Sequence, residues 1–200
     1  MSEHRLLTRW VRATWAGWVL GVPVIVALAL IGEAIGIGGA QALVGAGMGI
    51  AVGFLQARAI RDVLPNAWRW FWSCTVGLAV PFLLTDIWKP TGLSATYALF
   101  AALLLGGVAI GAWQTLILRS RLRRAGWWML ASVVGWALAG GMAASADALS
   151  RSQGLRGIWG ALAYLGIVAG GGLVLGLVTG AALAWILRDE AEQARATVAP

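Results

Sequence analysis

The chain has 200 residues, 60% hydrophobic and 12% charged, with a mean hydropathy of +0.81, more apolar side chain than a soluble domain of that length can bury. Its net charge of +7 does not describe a nucleic-acid binder, because the basic residues stand at the ends of apolar runs and form no solvated stripe. One cysteine, Cys74, and one histidine, His4, exclude an intrachain disulfide and any metal, haem or pigment centre needing several thiolates or imidazoles from this chain, so no cofactor is expected.

Apolar runs long enough to span a bilayer recur from the N-terminus onward. The first follows a short basic stretch, exceeds a signal-peptide core and lacks a cleavage site, so it reads as a retained helix. Six spans are predicted at about 15–36, 40–60, 68–88, 93–118, 127–149 and 158–187. They pair as hairpins 15–60, 68–118 and 127–187, with cytoplasmic tails 1–14 and 188–200, in a single membrane domain. Pro23 and Pro81 fall inside spans, where neighbouring helices can tolerate the lost hydrogen bond. The sixth span is long enough to tilt or to project past the bilayer.

Orientation follows from the basic residues. One side holds Arg5, Arg9, Arg12, Arg58, Arg61, Arg69, Arg119, Arg121, Arg123, Arg124, Arg188 and Arg195; the other holds only Lys89, Arg151 and Arg156. Twelve against three predicts cytoplasmic termini. Most tryptophans lie near that end, as an aromatic belt would, and Trp88 and Trp159 mark the outer face.

A shift of 58 residues aligns Gly49, Gly53, Gln56, Arg61, Ala67 and Trp70 with Gly107, Gly111, Gln114, Arg119, Ala125 and Trp128. At the N-terminus, "RATW" (12–15) echoes "RAGW" (124–127). Near the other end, Gly176, Gly180 and Arg188 resemble Gly107, Gly111 and Arg119, with Leu183 where the glutamine stood. The fold class expected is therefore an all-α integral membrane protein, six transmembrane helices as three parallel pseudo-repeated hairpins, N-in and C-in.

Glycines at four-residue spacing form smooth helix faces on which backbones approach closely. Gly49, Gly53, Gly107, Gly111, Gly172, Gly176 and Gly180 are the candidates for packing against other helices, and the last three are expected to meet a partner protein. The "GAGMG" stretch at 45–49 resembles a phosphate loop, but it lies inside an apolar span and is assigned to packing.

Glu33, Gln56 and Gln114 form a candidate polar site. The glutamines also suit plain interhelical hydrogen bonds. Glu33 has no basic neighbour in sequence, unlike Asp86, three residues before Lys89, and Asp147, four before Arg151. Arg119, Arg121, Arg123 and Arg124 suit anionic lipid at the cytoplasmic face or an acidic partner surface, besides fixing topology. No nucleophile motif or metal-ligand spacing is present, and no enzyme activity is expected.

The pattern Gly53-x-x-Gln56…Arg61…Ala67-x-x-Trp70, repeated as Gly111-x-x-Gln114…Arg119…Ala125-x-x-Trp128, resembles small Gly- and Trp-rich bacterial membrane proteins of unassigned function. That resemblance implies a bacterial inner-membrane location. The six-span layout is also similar to the substrate-binding subunits of energy-coupling-factor vitamin transporters, whose longer first loop is missing here. The expected function is a non-enzymatic subunit packed among other integral membrane proteins in the bilayer. A small-solute or ion transporter or channel component is the alternative.

Overall fold

The computed structural model describes residues 3–64, 66–88, 95–153 and 157–198. Six helices account for nearly all of them: α1 (Glu3–Ala34), α2 (Gln41–Ile60), α3 (Ala67–Trp88), α4 (Ala95–Arg119), α5 (Gly126–Gln153) and α6 (Gly157–Val198). There is no strand among the described residues. Each helix is long and apolar enough to cross a membrane, the architecture of a multi-pass membrane protein. In lipid only such internally bonded segments satisfy the backbone.

Each helix backbone packs on the next in sequence, and α6 packs back on α1; among the described residues no other pair of helix backbones comes close, and the odd-numbered helices meet only through side chains in the middle. The result is a closed ring of six. Glycine makes two of its joints very tight. On α2, a β-carbon at Gly45 would lie 2.5 Å from the Leu78 carbonyl oxygen of α3, and one at Gly47 would lie 2.8 Å from the Ile25 side chain of α1. With glycine on two faces, α2 sits against both neighbours at backbone distance.

The short turns are locally determined. Gly36 (φ +82°) and Gly39 (φ +74°) supply left-handed residues between α1 and α2, a region other residues rarely adopt. The first turn of α2 is then capped from another helix, the Asp86 carboxylate of α3 accepting from the backbone N–H groups of Gln41 (2.8 Å) and Ala42 (2.9 Å). At the opposite end, Val63 N–H donates to Ile60 and Arg69 N–H to Asn66, while Arg121 N–H donates to Leu118 and Trp127 N–H to Arg124. The α2–α3 and α4–α5 loops thus share these bonds at an offset of 58 residues.

The ends differ from expectation. Residues 3–14 and 188–198, expected as tails, continue α1 and α6 without a break. Leu6 and Trp10, one turn apart, are both buried, so the first turns of α1 have an apolar face despite their charges. α6, with 42 residues, is about 63 Å long, twice the hydrocarbon thickness of about 30 Å. Pro23 and Pro81 both lie inside uninterrupted helices.

Candidate functional site: a tryptophan core at the arginine-rich end

Three indoles meet inside the ring, one from each odd-numbered helix. Trp10, Trp70 and Trp128 are fully buried, with ring centroids 5.2–5.7 Å apart and planes crossing edge to face. Such pairs add about 0.5–1.5 kcal/mol each beyond the area they bury. An indole N–H taken out of water needs an acceptor, and each finds one on an even-numbered helix. Trp70 donates to Gln56 Oε1 (3.1 Å), Trp128 to Gln114 Oε1 (3.0 Å) and Trp10 to Thr179 Oγ1 (2.9 Å).

The two glutamines also bond in the other direction. Gln56 Nε2 donates to Thr14 Oγ1 of α1 (3.1 Å), and Gln114 Nε2 donates to Cys74 Sγ of α3 (3.2 Å). The Cys74 thiol donates in turn to Gln56 Oε1 (3.6 Å). So α2 ties α1 to α3, and α4 ties α3 to α5. Thr179 is too short to repeat this. Its hydroxyl donates to the Leu175 carbonyl of its own helix (2.6 Å), and Ser132 of α5 donates to Gly107 of α4 (3.1 Å). A second buried layer follows two turns along, made by Trp18, Leu78 and Trp136, with the Trp18 and Trp136 rings 5.6 Å apart.

The candidate polar site is only partly assembled. Gln56 and Gln114 share the core through Cys74, but Glu33 does not join them. It lies nineteen residues beyond Thr14, about 28 Å along α1, and is exposed. Asp86 serves as the cap of α2, and Lys89, its expected partner, lies outside the described residues. Asp147 does meet Arg151, at 3.1 Å.

All seven candidate glycines face neighbours within the chain. Gly49 and Gly53 meet α3, while Gly107 and Gly111 meet Trp136 and Ser132 of α5. Gly172 meets Trp18, Gly176 meets Val11 and Thr14, and Gly180 meets Leu7 and Trp10. The α6 seam expected to receive an outside helix is therefore taken by α1, because the ring closes there. By contrast, a β-carbon at Gly141 or Gly166 would touch nothing within 4 Å.

The register of α6 also needs correction. Thr179, not Leu183, accepts the indole bond, and it stands three residues after Gly176 as Gln114 stands three after Gly111. On α1, Trp10 fills the place of Trp128, while Trp15 of "RATW" is exposed (43%), as is Trp127 of "RAGW" (55%). The signal was in the sequence: Trp10, Thr14 and Trp18 repeat the spacing of Trp128, Ser132 and Trp136.

The arginines surround this core. Arg124 pairs with Asp189 (3.0 Å) and lies 5.2 Å from the centre of the Trp185 ring, and the Arg123 backbone N–H donates to Glu190 (3.1 Å). Arg119 and Arg121 are exposed. Arg9 pairs with Asp62, and Arg61 lies 3.6 Å from the same carboxylate. The hydrogen bond from Arg9 holds the Asp62 carboxyl below the usual carboxylate range. Among the described residues there is no group of three or more side chains suited to hold a metal. No protein-family model, curated protein or solved structure matches the chain.

Proposed function

We propose that the protein is a non-enzymatic integral membrane subunit of a larger complex in the bacterial inner membrane, with both termini and the arginine-rich end in the cytoplasm. The observation that carries this is the filled core. At the level where Gln56 and Gln114 converge, the ring holds three packed indoles, and both glutamines spend acceptor and donor on protein partners. A solute path needs polar groups facing free space, and Glu33 is too distant to supply one.

The same core supports a threefold repeat, with the unit differently cut. Each unit is an even helix and the odd helix whose indole donates to it: α2–α3, α4–α5 and α6–α1. The repeats are parallel and turn about the ring axis. Partner contact falls to the outer halves of α5 and α6, where Gly141 and Gly166 are open and Leu162 and Leu165 are exposed.

Gentle extraction from native membranes followed by mass spectrometry tests the proposal. Wild type should co-purify with a stoichiometric membrane partner, and Gly166→Leu should lose it while staying inserted and folded. A wild-type monomer that binds or conducts a small solute would transfer support to the transporter alternative.

A further inference from the structure

We infer that the groove between the first turns of α1, the α2–α3 loop and the end of α6 is a binding site for an anionic phospholipid. This goes beyond the subunit role and does not depend on it; it rests only on the arginine-rich end lying at a bilayer surface.

The groove has a volume of about 480 Å³, within the roughly 300–1,000 Å³ usual for small-molecule sites. Leu6, Val63, Ala184 and Leu187 give it apolar walls, while Arg188 and Arg195 give it charge. Ala184, Arg188, Ala191 and Arg195 recur every three or four residues, so they share one face of α6. The two arginines stand two turns apart, about 10 Å along the axis, with only the small Ala191 between them. An anion seated over Ala191 is within reach of both guanidiniums, and arginine matches phosphate geometry with paired donors.

Depth argues for lipid over a soluble anion. α2, with 20 residues, is about 30 Å long and matches the hydrocarbon core, so the loop holding Val63 lies at headgroup level. Basic pockets between helices at that level suit lipid phosphates. The acidic groups nearby do not cancel the charge. Asp62, which also lines the groove, is engaged by Arg9 and Arg61. Arg188 meets Glu192 at 3.8 Å, and a guanidinium with five N–H donors can serve a protein carboxylate and a phosphate together.

The full chain, purified in neutral detergent, should be titrated with phosphatidylglycerol or phosphatidylcholine and read by native mass spectrometry. Phosphatidylglycerol should be retained at least tenfold better. The Arg188→Ala/Arg195→Ala double variant should lose that preference with its helicity intact, and Ala191→Leu, which fills the seat without removing charge, should weaken it too. Arg121→Ala/Arg123→Ala should retain it. Equal retention of the two lipids, or a double variant that behaves as wild type, would overturn the site. Displacement of the lipid by millimolar inorganic phosphate would show that the apolar walls contribute nothing and would overturn lipid as the occupant. Exclusion of phosphatidylglycerol until a co-purified acidic protein is stripped away would assign the groove to that protein instead.

Discussion

Trp10 and Thr179, 169 residues apart in sequence, are joined by a 2.9 Å hydrogen bond that closes the helix ring. Both are fully buried, so the bond has no water to replace it. Thr179→Val keeps the shape and strands the indole N–H, at a cost of about 1–3 kcal/mol. Thermal unfolding in detergent should show the loss. Thr179→Ser should retain most of the stability, and Thr8→Val, on the exposed side of α1, should change little. An unaltered melting temperature in Thr179→Val would mean that the bond does not hold the ring.

Gln114→Leu should cost more than Thr179→Val. It strands the Trp128 N–H and also removes the donor to Cys74, so two interhelical bonds of about 0.6–2 kcal/mol each are lost. A double-mutant cycle with Cys74→Ala reports the coupling. Strict additivity would argue against a connected core.

Cys74 is 1% exposed and lies within this network. In the folded protein it should resist thiol reagents over hours and react at once after denaturation. Rapid labelling in native membranes would reveal a core that opens, as a transporter requires.

The α6 seam gives a prediction about the fold. A β-carbon at Gly172 would lie 2.5 Å from Trp18 Cβ, so Gly172→Ala should lower stability by about 1–3 kcal/mol or more in the isolated chain. Gly166→Ala, in open space, should be nearly neutral. Equal melting temperatures for the two would contradict the close packing of α1 on α6.

Arg9 and Asp62 make one clear pH dependence. The folded carboxyl titrates below its unfolded value near 3.8, so its stabilisation is complete above that pH and is lost as pH falls through the lower folded value. Asp62→Asn should therefore melt slightly below wild type at pH 5–8, and the difference should vanish in strong acid. The pair is solvent-exposed, so added salt should shrink the gap. A gap that grows on acidification would reverse the sign.

For topology, Ser120→Cys and Ser150→Cys in a Cys74→Ser background should label oppositely with an impermeant reagent on intact cells. Ser150→Cys should react from outside and Ser120→Cys only after permeabilisation.

The middle of the chain was legible because Gly53, Gln56 and Trp70 recur in kind as Gly111, Gln114 and Trp128. The ends were not, for two physical reasons. Threonine replaces glutamine at 179 and can meet the indole but not the next helix, so the residue type changes while the position is kept. His4, Arg5, Arg9 and Arg12 also make the first turns look solvated, although Leu6, Trp10 and Thr14 lie on one buried face. The carboxylates were legible only in part. Asp147 meets Arg151 as its four-residue spacing predicts, whereas Asp86 is spent on backbone N–H groups of α2, a role set by a neighbouring helix that its own sequence context does not specify.

The closure of α6 onto α1 leaves the ring without a privileged starting point. The first turns of α1 and the last turns of α6 lie together at one end, beside the loop between α2 and α3. A circular permutant that begins at α3, runs through α6, crosses a flexible linker into α1 and ends with α2 keeps every helix neighbour and every buried hydrogen bond. It still has six spans, and its new ends lie on the side of the old ones. Such a chain should insert and assemble the same tryptophan core, with the order of synthesis altered and the finished architecture retained.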